Sequence, residues 1–439
     1  MDIKTFNRGI HPEYKKELTK NKSIEKCSLP SQVVIPLQQH TGIICKSLVK
    51  PGDIVYTGQK IGEAEGFITA PVHASISGKV IEILPKFSPT GKEIISCIIE
   101  SDGNDTLIDT IKPRTGYYKL NPSEIISIIK DAGIVGQGGA AFPTHVKLLP
   151  PKSKIIDTLI INGAECEPYL TCDHRLMLEF TKEIITGIEI LMYATGIKKV
   201  FVGVEINKQD AIECLKIAGK NTLGLEIVPL KIKYPQGSEK HLIKAITGKE
   251  VPSGGLPMDV GVVVNNVGTV NAVYNAVMNG KPVIDRVVTV TGEGISEPKN
   301  LLVRIGTSVE HIINFCGGLK SDIGKIIIGG PMMGFAQFSL QIPVLKGTSG
   351  IVIFPKNDVG ITNVSECIRC GRCVEVCPMG LSPYTLVDIS EFNYYDDIMK
   401  FSPMDCIECG CCSYICPSNR YMVHYIRQAK LEVLAKQKK

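Results

Sequence analysis

Eight of the sixteen cysteines in this 439-residue chain fall into two strings of identical spacing. Cys367, Cys370, Cys373 and Cys377 precede Pro378, and Cys406, Cys409, Cys412 and Cys416 precede Pro417. Each string reads C-x2-C-x2-C-x3-C-P, the spacing that wraps a 4Fe–4S cubane in two-cluster bacterial ferredoxins. Thiolates in this register serve one-electron transfer. In that arrangement the fourth cysteine of each string ligates the other cluster. Cys367, Cys370, Cys373 and Cys416 are therefore expected around one cubane, and Cys406, Cys409, Cys412 and Cys377 around the other. Cys411 lies out of register and reads as a buried thiol. Zinc is the competing metal, but its sites use two C-x2-C pairs, or Cys with His, about one ion. Three cysteines within one short turn suit three corners of a cube instead. A disulfide framework belongs to short secreted chains. This chain is long, and its start, Met1-Asp2-Ile3-Lys4, carries no apolar signal region.

Around these cysteines the composition is that of an ordinary globular chain. Its length suggests about three domains of roughly 150 residues. A hydrophobic content of 44% supplies several cores without staples. Lys and Arg number 49 against 44 Asp and Glu, a formal charge of +5. That excess is too mild to argue for nucleic acid, and no nucleic-acid motif is present. Part of it lies in the tail after Lys430, at Lys436, Lys438 and Lys439. The tail reads as a solvated helix end, with docking on an acidic partner or membrane surface as the other reading. No run of about 18 apolar residues is present to span a bilayer. Clusters need reduced thiols, which fits a cytoplasmic location, including a peripheral place on a membrane complex.

The elements that must position this chemistry change character along the chain. From about Val33 to Glu100, short alternating strands are broken by turns such as Val49-Lys50-Pro51-Gly52-Asp53. Ala70 to Val80 resembles the second half of a biotinyl/lipoyl carrier domain. Its hairpin tip, Glu65-Gly66-Phe67-Ile68-Thr69, lacks the lysine that carries the cofactor. A structural or docking sandwich without a swinging arm is expected. From Asn121-Pro122, a helix start, apolar runs at 158–161, 200–204, 225–230 and 260–264 alternate with helical stretches at 173–194, 208–218, 238–246 and 270–278. That alternation predicts a parallel sheet covered on both faces. After Asp285, strands at 286–292, 325–328 and 350–354 and a helix near 308–315 fit a small β-grasp-like domain. The cysteine module follows from about Val364. Its last helix, from Tyr421 to about Leu434, is expected to turn Tyr425 and Ile426 inward.

Three loops in the α/β region carry a second kind of chemistry. Gly133 to Pro143 is dense in glycine, which lets a backbone approach a ligand closely. It follows a helix, so it lacks the strand–loop–helix context of a Rossmann fingerprint, and a tight surface turn is the alternative. Asn162-Gly163-Ala164-Glu165-Cys166-Glu167-Pro168 follows an apolar strand, where open parallel sheets bind ligands. Asn265-Asn266-Val267-Gly268-Thr269 ends another strand and opens a helix, a setting that suits a phosphate.

Taken together, Gly136 to Thr144 (GxGGAxFPT), Asn162 to Pro168 (N-x-x-E-x-E-P) and Asn265 to Thr269 (N-N-V-x-T) resemble the FMN- and NADH-binding subunit of respiratory complex I. The resemblance to the family of C subunits of the Rnf electron-transport complex is closer. It covers nearly the whole chain, including Tyr234-Pro235-Gln236-Gly237 and Val251 to Pro257. The complex I protein has one C-terminal cluster with another cysteine pattern. A cobalamin reductase with the same modules places the flavin domain first.

The resemblance implies a multidomain α/β and α+β chain of four parts. They are a barrel-sandwich hybrid (1–115), a Rossmann-like FMN/NADH-binding domain (116–285), a β-grasp-like SLBB domain (286–358) and a two-cluster ferredoxin-like helical module (359–439). It implies non-covalent FMN with NAD(H) stacked on it. Gly136, Gly138, Gly139, Ala140 and Phe142 would border flavin and nicotinamide, and Lys147 would meet phosphate. Asn162 would bond the flavin, Glu165 and Glu167 would line the dinucleotide side, and Glu205 would be a further pocket acid. Asn265, Asn266 and Thr269 would hold the FMN phosphate. Two positions depart from the complex I pattern, Gln137 for an arginine and Ala164 for an aspartate, which puts nucleotide contacts there in doubt. The alternatives are a solvated charge for Lys147 and a helix-start cap for Glu165 or Glu167. His145 and His174 receive no role, since hydride transfer needs no protein acid. Cys166 and Cys172 read as inert buried thiols. By the same resemblance, electrons would pass between NAD(H), FMN and two 4Fe–4S clusters, inside a ferredoxin:NAD oxidoreductase coupled to ion transport. The other subunits would be its partners, ferredoxin an indirect one, and the cytoplasmic membrane face its place. The rival is a soluble flavin/iron–sulfur reductase serving a cobalamin or selenoprotein system.

Overall fold

A computed structural model describes residues 3–151, 153–320, 322–359, 363–395 and 397–437. Met1 and Asp2 at the start, and Lys438 and Lys439 of the basic tail, lie outside the described residues. Among the described residues no helix is long and apolar enough to cross a membrane.

Two small antiparallel sheets form the sandwich. One runs in the order Gln32–Pro36, Glu93–Ser101, Gly78–Phe87, Ile54–Val55, and the other joins Lys46–Ser47, Lys60–Glu63 and Val72–His73. Alternation decides the faces: Val33, Ile35, Val80 and Ile99 are fully buried, with Val80 opposite Ile99 across the ladder. The tip residue Phe67 stands 69% exposed.

The α/β domain opens with the helix Pro122–Asp131. Asn121 and Glu124 cap it reciprocally and Pro stands in its first turn, while Ile125, Ile126 and Ile129 face inward. Four parallel strands then pack in the order Leu225–Leu230, Lys199–Glu205, Thr158–Asn162, Val262–Asn266. Leu159, Ile161, Val200 and Val202 point to one face, against helices Cys172–Glu179, Thr181–Thr195, Gln209–Ala218 and Val267–Asn279. Ile160, Phe201 and Val264 point to the other, against helix Glu239–Thr247. Both faces are covered, as near-continuous apolar strands require. The helix expected over 173–194 is two helices. Phe180 leaves helical geometry at φ −123° and ψ 35°, and the Thr181 hydroxyl donates back to Met177 O at 2.5 Å.

A six-stranded mixed sheet follows, in the order Ile24–Lys26, Lys299–Arg304, Asp285–Thr291, Gly350–Pro355, Ile323–Ile328, Phe335–Ala336. The strands 24–26 and 299–304 had no sequence signal that set them apart. Residues ahead of Ile24 run across the α/β domain: Lys4 N–H donates to Pro229 O, Ile10 bridges Tyr234, and Tyr169 N–H donates to Tyr14 O. The buried Lys16 ammonium donates to the carbonyls of Glu165, Glu167 and Leu170.

The cysteine module is built from helices Arg372–Val376, Pro383–Glu391, Cys411–Tyr414 and Met422–Gln437 around Leu386, Val387, Ile426 and Ala429. Ile426 is buried as expected. Tyr425 is only partly buried, and its hydroxyl reaches Glu391 at 3.4 Å.

Candidate cofactor sites

The two cysteine strings fold alike. Arg369 and Glu408, each just ahead of the second cysteine of its string, have φ of 51° and 57°, and Gly371 and Gly410 just after it have φ of 77° and 79°. Arg369 N–H lies 3.4 Å from Cys367 Sγ, and Glu408 N–H lies 3.4 Å from Cys406 Sγ. In each string the three cysteines of this shared turn border one cavity. The fourth sulfur arrives from the other string: one cavity is lined by Cys367, Cys370, Cys373 and Cys416, the other by Cys377, Cys406, Cys409 and Cys412. Four thiols converging on one small space are a donor set suited to an iron–sulfur cubane. Cys411 is fully buried and also borders the second cavity.

The two cavities differ in surroundings. The first reaches the surface, with Cys370 exposed and Ile368 68% exposed. The second is pressed against the α/β domain. There Tyr234, itself buried, donates its hydroxyl to Cys409 O at 2.8 Å, and His241 Nε2 meets Pro378 O at 3.1 Å. From the N-terminal segment, Arg8 donates to Cys377 O at 3.4 Å and Gly9 N–H to Val376 O at 3.0 Å.

The glycine-rich loop is a hairpin with a bare crown. Its base closes through Gly136 N–H to Phe142 O (2.8 Å) and Thr144 N–H to Ile134 O (3.0 Å). Gln137 N–H donates to Thr269 Oγ1 at 2.9 Å, which ties the crown to the helix that starts at Val267. Asn266 caps that helix, accepting from Gly268 N–H at 2.7 Å, and donates its amide to Asp173 Oδ2 at 2.6 Å. A Cβ on Gly138 would stand 3.1 Å from this Asn266 amide, at a φ of 80°. The structure thus brings the loop together with Asn266 and Thr269. Asn265 is 3% exposed, yet neither its Nδ2 nor its Oδ1 has a partner. Thr144 Oγ1, Gln236 Nε2 and Arg286 Nη2 are likewise buried and unpartnered. Buried polar atoms normally find partners, and Asn265, beside the helix start at Val267, has both of its amide atoms left for a polar ligand.

Residues 129–275 match the Nuo51 FMN-binding domain, 4–104 the RnfC barrel sandwich hybrid domain, 287–336 the SLBB domain and 366–420 the 4Fe-4S dicluster domain. The C subunit of the Na(+)-translocating ferredoxin:NAD(+) oxidoreductase complex of Acetobacterium woodii is 48% identical over 441 residues, covering 100% of both chains. The C subunit of the proton-translocating ferredoxin:NAD(+) oxidoreductase complex of Clostridium ljungdahlii is 49% identical, over 98% of this chain and 94% of that one. The chain belongs to the Rnf C-subunit family. Its fold is also shared with a chain of an NAD+-reducing NiFe-hydrogenase in the air-oxidised state, at 19% identity and a TM-score of 0.51, covering 72% of this chain and 61% of that one.

In this member of the Rnf C-subunit family the three pocket acids, Asn162, Lys147 and His174 have internal partners. Glu165 accepts from Asp173 N–H (2.7 Å) and His174 N–H (3.2 Å), which makes it the cap of helix Cys172–Glu179. Glu167 accepts from Met332 N–H (3.1 Å) and Met333 N–H (3.0 Å) of the SLBB region, and burial pushes its carboxyl up to about 7. Glu205 is fully buried, pairs with Lys208 at 3.3 Å and accepts from Lys233 N–H. Asn162 donates to Gly237 O at 2.7 Å and accepts from Ala164 N–H at 3.1 Å. Lys147 is no free surface charge; it pairs with Glu239 at 2.9 Å and donates to Val264 O at 3.2 Å. His174 bonds Asp210 at 2.9 Å, and burial lowers both it and His145. Burial raises the Cys166 and Cys172 thiols, as inert thiols require.

Sequence reasoning gave no role to Asp173, Glu239 and Arg286, which the structure sets against Asn266, Lys147 and Gln137. Arg286 comes from the strand after the α/β domain. It donates to Gln137 Oε1 at 2.6 Å and to Thr348 O at 3.1 Å, so a guanidinium lies beside the position where the complex I pattern has arginine. Asp173 is held up to about 6 by burial and the nearby Glu165. The departure at Gln137 was the one available signal for Arg286.

Proposed function

We propose that this chain is the NAD(H)-oxidising and NAD-reducing electron-transfer subunit of a membrane-associated ferredoxin:NAD oxidoreductase coupled to ion transport. The observation that carries this reading is the junction of the two site types: the cavity of Cys377, Cys406, Cys409 and Cys412 lies against Tyr234, on the loop that also receives the Asn162 amide. When bound, FMN exchanges an electron pair with NAD(H) as hydride and single electrons with iron–sulfur clusters, which no side chain can do.

The chain's residues bind and orient. Asn265, Asn266 and Thr269, at a helix start, would hold the FMN phosphate. Gly136, Gly138, Gly139, Ala140 and Phe142 would border flavin and nicotinamide, and Lys147 would lend charge from its bond with Glu239. Asn162 would hold the flavin side while fixing the Tyr234–Gly237 turn. We read Glu165, Glu167 and Glu205 as the acids that brace the dinucleotide side through their backbone and lysine partners. We also read the Cys377/Cys406/Cys409/Cys412 set as the inner ligand set and the Cys367/Cys370/Cys373/Cys416 set as the outer, facing a neighbouring protein of the complex on the cytoplasmic membrane face. The parallel sheet is read as Rossmann-like, the mixed sheet as β-grasp-like and the cysteine module as ferredoxin-like. The full-length likeness to the C subunits of two ion-translocating complexes speaks against the soluble-reductase alternative.

The test is anaerobic reconstitution of the full chain with iron, sulfide and FMN, then NADH titration followed by visible and EPR spectra. About eight irons per chain and bleaching of the flavin by NADH are expected. Zinc in place of iron, or a flavin untouched by NADH, would overturn the reading.

A further inference from the structure

The sandwich lacks a carrier lysine, yet its loop 38–44 lies on the crown of the glycine-rich hairpin. Thr41 Oγ1 donates to Ala140 O at 2.6 Å, and Thr41 N–H donates to Ala141 O at 3.3 Å. The crown extends beyond the last rung of its hairpin, Gly136 to Phe142. It holds two left-handed residues, Gly138 at φ 80° and Ala141 at φ 52°. A residue with a Cβ keeps such a conformation only where its surroundings enforce it. Thr269 holds the first arm of the crown through Gln137 N–H, and Thr41 holds the returning arm at Ala140 and Ala141.

Loop 38–44 is itself held firmly. Gln38 donates to Gly42 O (2.6 Å), His40 Nε2 meets Ile43 O (2.9 Å), and Thr69 donates to Ile43 O (3.2 Å). The root of the hairpin is fixed to the same domain. The buried Lys346 donates to Pro71 O of the sandwich and to Gly133 O, each at 2.7 Å.

Resting on the reading of this hairpin as a wall of the FMN and NAD(H) site, we propose that Thr41 is a positioning residue for that site. The sandwich supplies a fixed jaw that sets the crown against the dinucleotide.

The test uses the full chain reconstituted with FMN, iron and sulfide, carrying Thr41→Val, with anaerobic NADH oxidation by a one-electron dye. The threonine is exposed, so the variant keeps its shape and volume without disturbing a core. KM for NADH is expected to rise about fivefold, the equivalent of one hydrogen bond of ~1 kcal/mol. With kcat, FMN content and melting temperature unchanged, that split marks lost binding. Thr41→Ser, which keeps the donor, is expected to restore the wild-type KM. An unchanged KM in Thr41→Val, or a fall in FMN content and melting temperature without a KM change, overturns the jaw. Gly138→Val in the same assay separates the two readings. Loss of FMN there with a silent Thr41→Val refutes the jaw alone, whereas full FMN and normal KM in Gly138→Val refute the hairpin assignment beneath it.

Discussion

Replacing Lys346 by Met removes a buried amine and leaves two carbonyls, Pro71 O and Gly133 O, without a donor. A neutral amine has two N–H groups for these two acceptors, while an ammonium would carry a third with no acceptor among the described residues. Accordingly, burial holds Lys346 down to about 7, against an ordinary 10.5. An unsatisfied buried carbonyl costs about 1–3 kcal/mol, so Lys346→Met should destabilise this joint by about 2–6 kcal/mol at pH 9. At pH 7 the cost should be smaller, because the wild type there carries half a buried charge that Met lacks. The sign follows from proton counting: between pH 7 and 10.5 the unfolded chain holds the Lys346 proton and the native chain does not. Stability from this group therefore rises with pH across that window. From pH 7 to 9 the gain is about 2 kcal/mol at 1.36 kcal/mol per unit. The difference between wild type and Lys346→Met should widen by that amount, since other groups titrate alike in both. Anaerobic urea titrations at the two pH values, followed by FMN release, measure it through the shift in midpoint. A gap that stays level from pH 7 to 9, or narrows, would refute a neutral amine at this joint.

Two other perturbations probe the cofactor sites. Cys370→Ser should remove the exposed set's cluster and about half of the iron, while NADH still bleaches the flavin; loss of bleaching would place this set on the flavin side, and iron analysis with EPR distinguishes the cases. Gly138→Val puts a branched side chain at φ 80°, 3.1 Å from the Asn266 amide, at a strain of about 1–3 kcal/mol. FMN content after reconstitution should fall by about tenfold or more, and flavin retained at wild-type level would count against the loop.

What could be read along the chain were the features whose partners lie close in sequence. Cysteine spacing states its own geometry, and the reciprocal cap of Asn121 and Glu124 sits three residues apart. The parallel sheet followed from apolar runs alternating with helical periods. The helix break at Phe180 stayed hidden because the apolar period runs through it. Arg286 and Gln137 are 149 positions apart, so nothing local joins them. The strand Ile24–Lys26 has only three residues and exists through its partner Lys299–Arg304. The acids show a further limit: a carboxylate at a helix start can cap the helix or face a ligand, and residue type cannot choose. For Glu165 the observed bonds are those of the cap.

The pairing of Ile24 with Asn300 also bears on how the protein is made. A ribosome adding roughly 5–20 residues per second needs on the order of fifteen seconds to a minute to reach that partner. Throughout that interval Ile24–Lys26 has no sheet to join, although Lys4, Ile10 and Lys16 ahead of it already have their partners in the α/β domain. Nascent chains stalled before Lys299 should be nicked by protease at Ile24–Lys26, and chains stalled well beyond Arg304 should resist there.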